Sequence, residues 1–88
     1  MLLALDIGNT EISLGLFGGE DLERSWRVTT RPDRTSDEWA VLLRALFDAG
    51  GLDITLVTGS VVCSVVPTTT DAMAEGLMSA TGTAPVIV

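Results

Sequence analysis

Residues 3–10 read LALDIGNT, and residues 11–17 continue the chain as EISLGLF. The first stretch is an apolar run that ends at a carboxylate and small residues, and the second alternates apolar with polar or small side chains. These patterns are typical of a buried strand, a tight turn and a second strand. We therefore expect strand one over residues 2–7 and strand two over residues 11–17.

The turn between these strands is a candidate ligand-binding loop. The Gly8-Asn9 dipeptide tolerates positive φ, so the backbone can reverse sharply and expose its N–H groups. Exposed N–H groups can hold a phosphate, and the Thr10 hydroxyl adds a donor. Asp6 is placed to bind Mg²⁺ through water, because hard cations prefer carboxylate oxygens. The alternative is an ordinary hairpin whose aspartate caps backbone N–H groups and binds nothing.

Composition limits the functions open to this chain. The net charge is −7 and there is no lysine, which disfavours nucleic-acid binding because a phosphate backbone needs a basic face. The lack of lysine also excludes a Walker-type phosphate loop. A triphosphate remains admissible, since turn N–H groups and a cation can hold it. The single cysteine, Cys63, lies in an apolar stretch and is expected to be a small buried residue.

Length and hydropathy point to one small cytoplasmic domain. The chain has 88 residues, of which 47% are hydrophobic, as in a globular protein. No apolar run approaches the ~20 residues that a membrane helix needs, and the N-terminus lacks the basic flank of a signal peptide. We expect no membrane partner.

The middle of the chain predicts a third strand and a helix. The alternation over residues 22–29 places Trp26 and Val28 on one packed face. Thr35 and Glu38 form a capping box, so a helix begins there and ends at the glycine pair 50–51. Its apolar stripe comprises Trp39, Leu42, Leu43, Leu46 and Phe47.

The last third predicts a strand, a helix and the start of another strand. Residues 56–66 are apolar or small, as in a central strand buried on both faces, with its core at Gly59–Val65. Thr68 or Thr70 can cap the helix that follows, which ends at Gly82. Its apolar side is marked by Met73, Leu77 and Met78. Residues 85–88 (PVIV) look like one more buried strand, so we expect the chain to stop in the middle of a fold.

Four motifs together resemble one family. They are Asp6–Thr10 (DIGNT), Ser25–Thr30 (SWRVTT), Thr35–Trp39 (TSDEW) and Ser64–Pro67 (SVVP). Their order and spacing are similar to those of type III pantothenate kinase, within the sugar kinase, chaperone and actin superfamily. The resemblance covers all 88 residues, and the sequence departs from it at Glu11 and Trp39. It implies an α/β, ribonuclease-H-like half-domain with a mixed sheet and the order β-β-β-α-β-α-β, truncated at the last strand.

The resemblance also implies an activity. Members of this family transfer the γ-phosphoryl group of ATP to pantothenate, the first step of coenzyme A biosynthesis, as homodimers that use Mg²⁺ and a monovalent cation (K⁺ or NH₄⁺). The catalytic aspartate is expected beyond Val88, so residues 1–88 would be an incomplete N-terminal nucleotide-binding lobe without the C-terminal lobe, inactive alone. The alternative is a non-catalytic accessory or assembly protein with the same half-fold. The residues implied to contact ATP are Asp6, Ile7, Gly8, Asn9, Thr10, Glu11, Ile12 and Ser13.

Other residues have two interpretations each. Asp37 and Glu38 could transfer protons, but their place in the first helical turn favours capping. Trp26 and Trp39 could stack on adenine, but their apolar stripes favour core packing. Four arginines could steer an anion or simply be solvated charges: Arg24, Arg27, Arg31 and Arg34.

Overall fold

The computed structural model describes residues 1–88 and contains one mixed five-stranded sheet with the order β3-β2-β1-β4-β5. The central strand, β1, pairs antiparallel with β2 and parallel with β4. The predicted α/β class and the order of elements are confirmed. In chain order, the elements are β1 (Leu2–Ile7), β2 (Glu11–Gly18), β3 (Asp21–Thr29), α1 (Ser36–Ala49), a 3-10 turn (Ile54–Leu56), β4 (Gly59–Ser64), α2 (Pro67–Thr81) and β5 (Val86–Ile87).

Both helices cover the same face of the sheet. Alternate residues of β1 and β2 point to that face because side chains alternate across a strand, and they join the buried helix residues in one apolar cluster. Trp26 of β3 packs against Phe47 of α1, with ring centroids 5.1 Å apart. In β2, Ile12, Leu14 and Leu16 are buried on this face, as their alternation predicts. In β1, which was predicted to be buried from its apolar run, the buried residues are Leu3, Leu5 and Ile7.

Helix α1 has the predicted boundaries. The Thr35 hydroxyl accepts a hydrogen bond from the Glu38 N–H at 3.2 Å, and the Glu38 carboxylate accepts one from the Thr35 N–H at 2.9 Å. This capping box satisfies two N–H groups that the helix leaves without partners. The helix ends at Ala49, and Gly51 follows with a φ of 71° that suits glycine.

Helix α2 crosses α1 at a glycine. A Cβ atom on Gly76 would lie 2.9 Å from the Trp39 Cβ and 3.0 Å from the Ser36 carbonyl oxygen. The missing side chain therefore allows the two backbones to approach closely. Met78 is half exposed, contrary to the prediction, because it lies off the stripe of the buried residues Thr69, Met73, Gly76, Leu77 and Ala80.

The predicted N-cap of α2 is wrong, whereas the helix ends at Gly82 as predicted. The helix begins one residue earlier than Thr68, with Pro67 at its first position and Val66 as an N-cap that makes no side-chain hydrogen bond. Proline suits this position because its fixed φ is helical and the N–H it lacks would have no partner there. The Thr70 hydroxyl instead donates to the Val66 carbonyl oxygen at 3.0 Å, inside the first turn.

The opposite face of the sheet is not covered by a helix. The prediction of a doubly buried strand four is wrong, because β4 buries alternate residues only and Cys63 is exposed. The prediction of a buried final strand is also wrong: β5 pairs with β4, but Val86 and Ile87 remain exposed at the sheet edge. The β4 error arises because α1 and α2 lie on the same side of the sheet. The β5 error has another cause: β5 is the edge strand, and even Ile87, beside the buried Val62, is exposed there. Neither helix is long and apolar enough to cross a membrane.

Candidate functional site

The candidate site lies where β1 and β4 end. These strands are parallel neighbours, so their carboxyl ends meet at one edge, where ligands bind in many open α/β sheets. The loop of residues 8–10 follows β1, and residues 65–66 follow β4. The Val65 N–H donates to the Ile7 carbonyl oxygen at 3.1 Å. This bond ties the two segments together.

The loop leaves two successive main-chain donors free. The Gly8 N–H donates to the Glu11 carbonyl oxygen at 2.9 Å, whereas the N–H groups of Asn9 and Thr10 have no acceptor within the chain. Main-chain N–H groups without a partner are available to donate to an anion. The sequence Gly8-Asn9 would tolerate a positive φ, but neither residue adopts one, so this loop reverses without a left-handed residue.

Thr30, which directly follows β3, makes two hydrogen bonds to this loop. Its hydroxyl donates to the Gly8 carbonyl oxygen at 2.8 Å, and its N–H donates to the Thr10 carbonyl oxygen at 2.9 Å. The residue is only 6% exposed. Sequence reasoning missed it, because nothing in the sequence distinguishes it from its exposed neighbour Thr29.

Asp6 lies on the uncovered face of the sheet, beside the loop. It pairs with Ser13 of β2 and with Cys63 of β4, and Ser13 pairs with Arg27 of β3. A polar row thus crosses the sheet just before the loop. The Asp6 carboxylate is exposed and makes no hydrogen bond or ion pair within the chain.

The residues around Asp6 could supply only part of the ligand set of a Mg²⁺ ion. No three potential metal-ligating side chains cluster anywhere in residues 1–88. Asp6 can therefore hold the ion by one carboxylate, with water and a ligand's phosphates supplying the remaining oxygens, as is usual for Mg²⁺.

The other candidate residues divide by burial. Ile7 and Ile12 are cross-strand partners buried on the covered face, so their side chains support the loop and cannot reach a ligand. Glu11 is exposed and lies 3.4 Å from the Arg27 guanidinium. The candidate side chains that solvent can reach are those of Asp6, Thr10 and Ser13, which are all exposed.

The arginines that could steer an anion all have contacts within the chain. Arg31 forms a bidentate pair with Asp33, and this hydrogen bonding holds the pKa of the Asp33 carboxyl below its ordinary 3.8. Arg34 lies over the Trp39 ring, with its guanidinium carbon 4.9 Å from the centroid. The other two make one contact each, Arg24 with the Gly50 carbonyl oxygen and Arg27 with Glu11.

The remaining candidates have structural roles. The pKa of Glu38 is lowered because its carboxylate accepts a hydrogen bond from the Thr35 N–H, as capping requires. Trp39 is fully buried and Trp26 half buried, so core packing is confirmed over adenine stacking for Trp39.

An open depression of about 430 Å³ lies on the outer side of α1. None of residues 6–13 lines it; the lining residues are Arg34, Asp37, Glu38, Val41, Leu42 and Ala45.

Comparison with known proteins gives a consistent result over the whole chain. The family model for type III pantothenate kinase matches residues 2–88. The type III pantothenate kinase of Moorella thermoacetica is 42% identical over 88 residues, which is 100% of this chain and 35% of that protein. The enzyme of the same name from Solibacter usitatus is 55% identical over 67 residues, or 76% of this chain and 26% of that protein.

A solved structure supports the fold independently. The crystal structure of ROK hexokinase from Thermus thermophilus superimposes with a TM-score of 0.64 at 20% identity, and the match covers 99% of this chain and 32% of that one. Such a likeness concerns the fold alone. The chain spans about a quarter to about a third of the length of the relatives it matches.

Proposed function

Because this chain belongs to the type III pantothenate kinase family, we propose that residues 1–88 are the nucleotide-binding N-terminal lobe of an enzyme that phosphorylates pantothenate. The enzyme would transfer the γ-phosphoryl group of ATP to the 4′-hydroxyl of pantothenate, the first step of coenzyme A biosynthesis. The observation that carries the proposal is the pair of successive free N–H groups at Asn9 and Thr10. They lie at the sheet edge where such ligands bind.

The loop would hold the phosphates of ATP through its main chain. The N–H groups of Asn9 and Thr10 would donate to phosphate oxygens, and the Thr10 hydroxyl would add a third donor. This arrangement explains how a chain without lysine could bind a triphosphate. Phosphoryl transfer depends mostly on such positioning and on charge stabilisation.

Asp6 would complete the polyanion site from the sheet. Its exposed carboxylate lies in the row with Ser13, next to the loop, and would hold Mg²⁺ through water. The ion supplies positive charge to the phosphates when bound. Ile7 and Ile12 would act indirectly, because their burial fixes the strand ends from which the loop projects.

Several parts of the activity lie outside these residues. As the resemblance to the family implies, we assign the catalytic aspartate, the monovalent-cation site and the homodimer contacts to the rest of the enzyme. We also place the reaction in the cytoplasm, in keeping with the family. The 88-residue chain alone should be inactive, since one loop cannot enclose a reaction site.

The test compares the full-length protein with this chain. The full-length protein should convert pantothenate to its phosphate with ATP, and the isolated chain should not. Turnover by the isolated chain would contradict the assignment of the catalytic aspartate to the rest of the enzyme. A folded full-length protein that binds ATP without phosphorylating pantothenate would instead favour the non-catalytic module.

Asp6→Asn tests the site within the same enzyme. Losing one charge that faces the metal-bound phosphates should weaken Mg·ATP binding about tenfold, which corresponds to about 1.4 kcal/mol. Asp21→Asn is the matched control, because Asp21 is an exposed strand carboxylate at the start of β3, far along the sheet from the loop. Equal Mg·ATP affinity for Asp6→Asn and Asp21→Asn would remove Asp6 from the site.

A further inference from the structure

Thr30 makes two hydrogen bonds to the loop, and both go to carbonyl oxygens. Its hydroxyl donates to Gly8 at 2.8 Å and its N–H donates to Thr10 at 2.9 Å. These contacts join residues that are 22 and 20 positions apart in the chain. They bracket the two residues whose N–H groups are free, Asn9 and Thr10.

The bond to Gly8 fixes the direction of the Asn9 N–H. A trans peptide unit is planar, so its C=O and N–H point in opposite directions. The Gly8 carbonyl and the Asn9 N–H belong to one such unit. Since Thr30 draws the carbonyl toward the buried side, the Asn9 N–H must point away from it, toward solvent.

The preceding peptide unit is anchored at both ends. Its carbonyl, on Ile7, accepts from the Val65 N–H at 3.1 Å, and its N–H, on Gly8, donates to Glu11 at 2.9 Å. This unit needs no help from Thr30. The Gly8–Asn9 unit, in contrast, has the Thr30 hydroxyl as its only partner within the chain.

We propose that Thr30 is a positioning residue that orients the Asn9 N–H for the phosphates of the nucleotide; this inference rests on the proposed function. Thr30 does not touch the ligand. It holds the loop in the binding conformation before ATP arrives, so the binding energy is not spent on ordering the loop. Removing the hydroxyl should raise the Kd for Mg·ATP about fivefold to tenfold, the range expected for one hydrogen bond.

The experiment uses the full-length protein with three substitutions. Thr30→Val keeps the shape and removes the hydroxyl, Thr30→Ser keeps the hydroxyl, and Thr29→Val makes the same change one residue away, at an exposed threonine whose hydroxyl has no partner. Mg·ATP binding is measured by calorimetry, and the KM values for ATP and for pantothenate by steady-state kinetics. Circular dichroism checks that each variant is folded at the assay temperature.

We expect Thr30→Val to raise the Kd and KM for ATP without changing the KM for pantothenate, and Thr30→Ser and Thr29→Val to stay within about twofold of the parent for Mg·ATP. A merely structural defect would reduce active protein, lowering kcat and leaving both KM values unchanged. That result, or a folded Thr30→Val with parental affinity, would overturn the inference. Failure of the parent to phosphorylate pantothenate would refute the proposed function separately, because ATP binding is measured without the acceptor.

Discussion

Gly76→Ala should destabilise the protein, although glycine is a poor helix former. In the interior of a helix, alanine is favoured over glycine by about 1 kcal/mol. Gly76 lies inside α2, so propensity alone predicts that the substitution stabilises. The packing around Gly76 predicts the opposite.

The steric cost exceeds the gain in propensity. The new Cβ would lie 2.9 Å from the Trp39 Cβ, 3.0 Å from the Ser36 carbonyl oxygen and 3.2 Å from the Ala40 nitrogen. None of these atoms is the free end of a flexible side chain, so the helices themselves must separate. Overpacking costs about 1–3 kcal/mol, and the rigid neighbours place this case at the upper end. Subtracting the gain in propensity leaves a net loss of about 1–2 kcal/mol in the free energy of unfolding.

Urea denaturation measures this difference. With a slope near 1 kcal/mol/M for a small domain, the midpoint should fall by about 1–2 M. Glu75 supplies the control, because it is an exposed neighbour in the same helix without hydrogen bonds or ion pairs. There, Glu75→Ala should be more stable than Glu75→Gly by about 1 kcal/mol. If Gly76→Ala also stabilised the protein, the close crossing of the helices would be wrong.

Three further outcomes follow from local contacts. Thr35→Ala removes the N-cap of α1 and should lower the free energy of unfolding by about 1 kcal/mol in urea titrations; an unchanged midpoint would contradict the capping box. The pKa of Glu38 lies below its ordinary 4.5 because of the Thr35 N–H, so its stabilising contribution is present above that pH and is lost as the pH falls through the lower, folded-state value. Glu38→Gln should therefore reduce the acid loss of stability seen by circular dichroism, whereas parallel pH profiles would refute this. Cys63 is exposed and should react with a thiol reagent in the native protein; protection until unfolding would show that its face is covered.

Helix α1 could be predicted almost completely, because its signals are local. The capping box, the apolar stripe and the terminal glycines all lie within one stretch of sequence and act through contacts three or four residues apart. The side of the sheet that each helix covers is not local information. For this reason β4, whose sequence suits burial on both faces, was predicted with the wrong environment at Cys63.

In the candidate site, too, features set by local sequence could be predicted and features set by distant contacts could not. The sequence located the loop and Asp6, because a carboxylate and small residues at a strand end form a recognisable pattern. It could not identify Thr30, whose bonds to Gly8 and Thr10 depend on the pairing of β2 with β3. The left-handed conformation that Gly8-Asn9 would tolerate is not used in the loop.

Main-chain hydrogen-bond donors respond to pH and to substitution differently from side-chain donors. The amides of Asn9 and Thr10 carry no ionisable proton in the physiological range. If they bind the nucleotide as proposed, a change in pH would alter the affinity only through the ligand or through side chains. Alanine scanning leaves both amides in place and would pass over them. A proline at either position removes the N–H itself. It is therefore the substitution that tests whether the main chain binds the ligand.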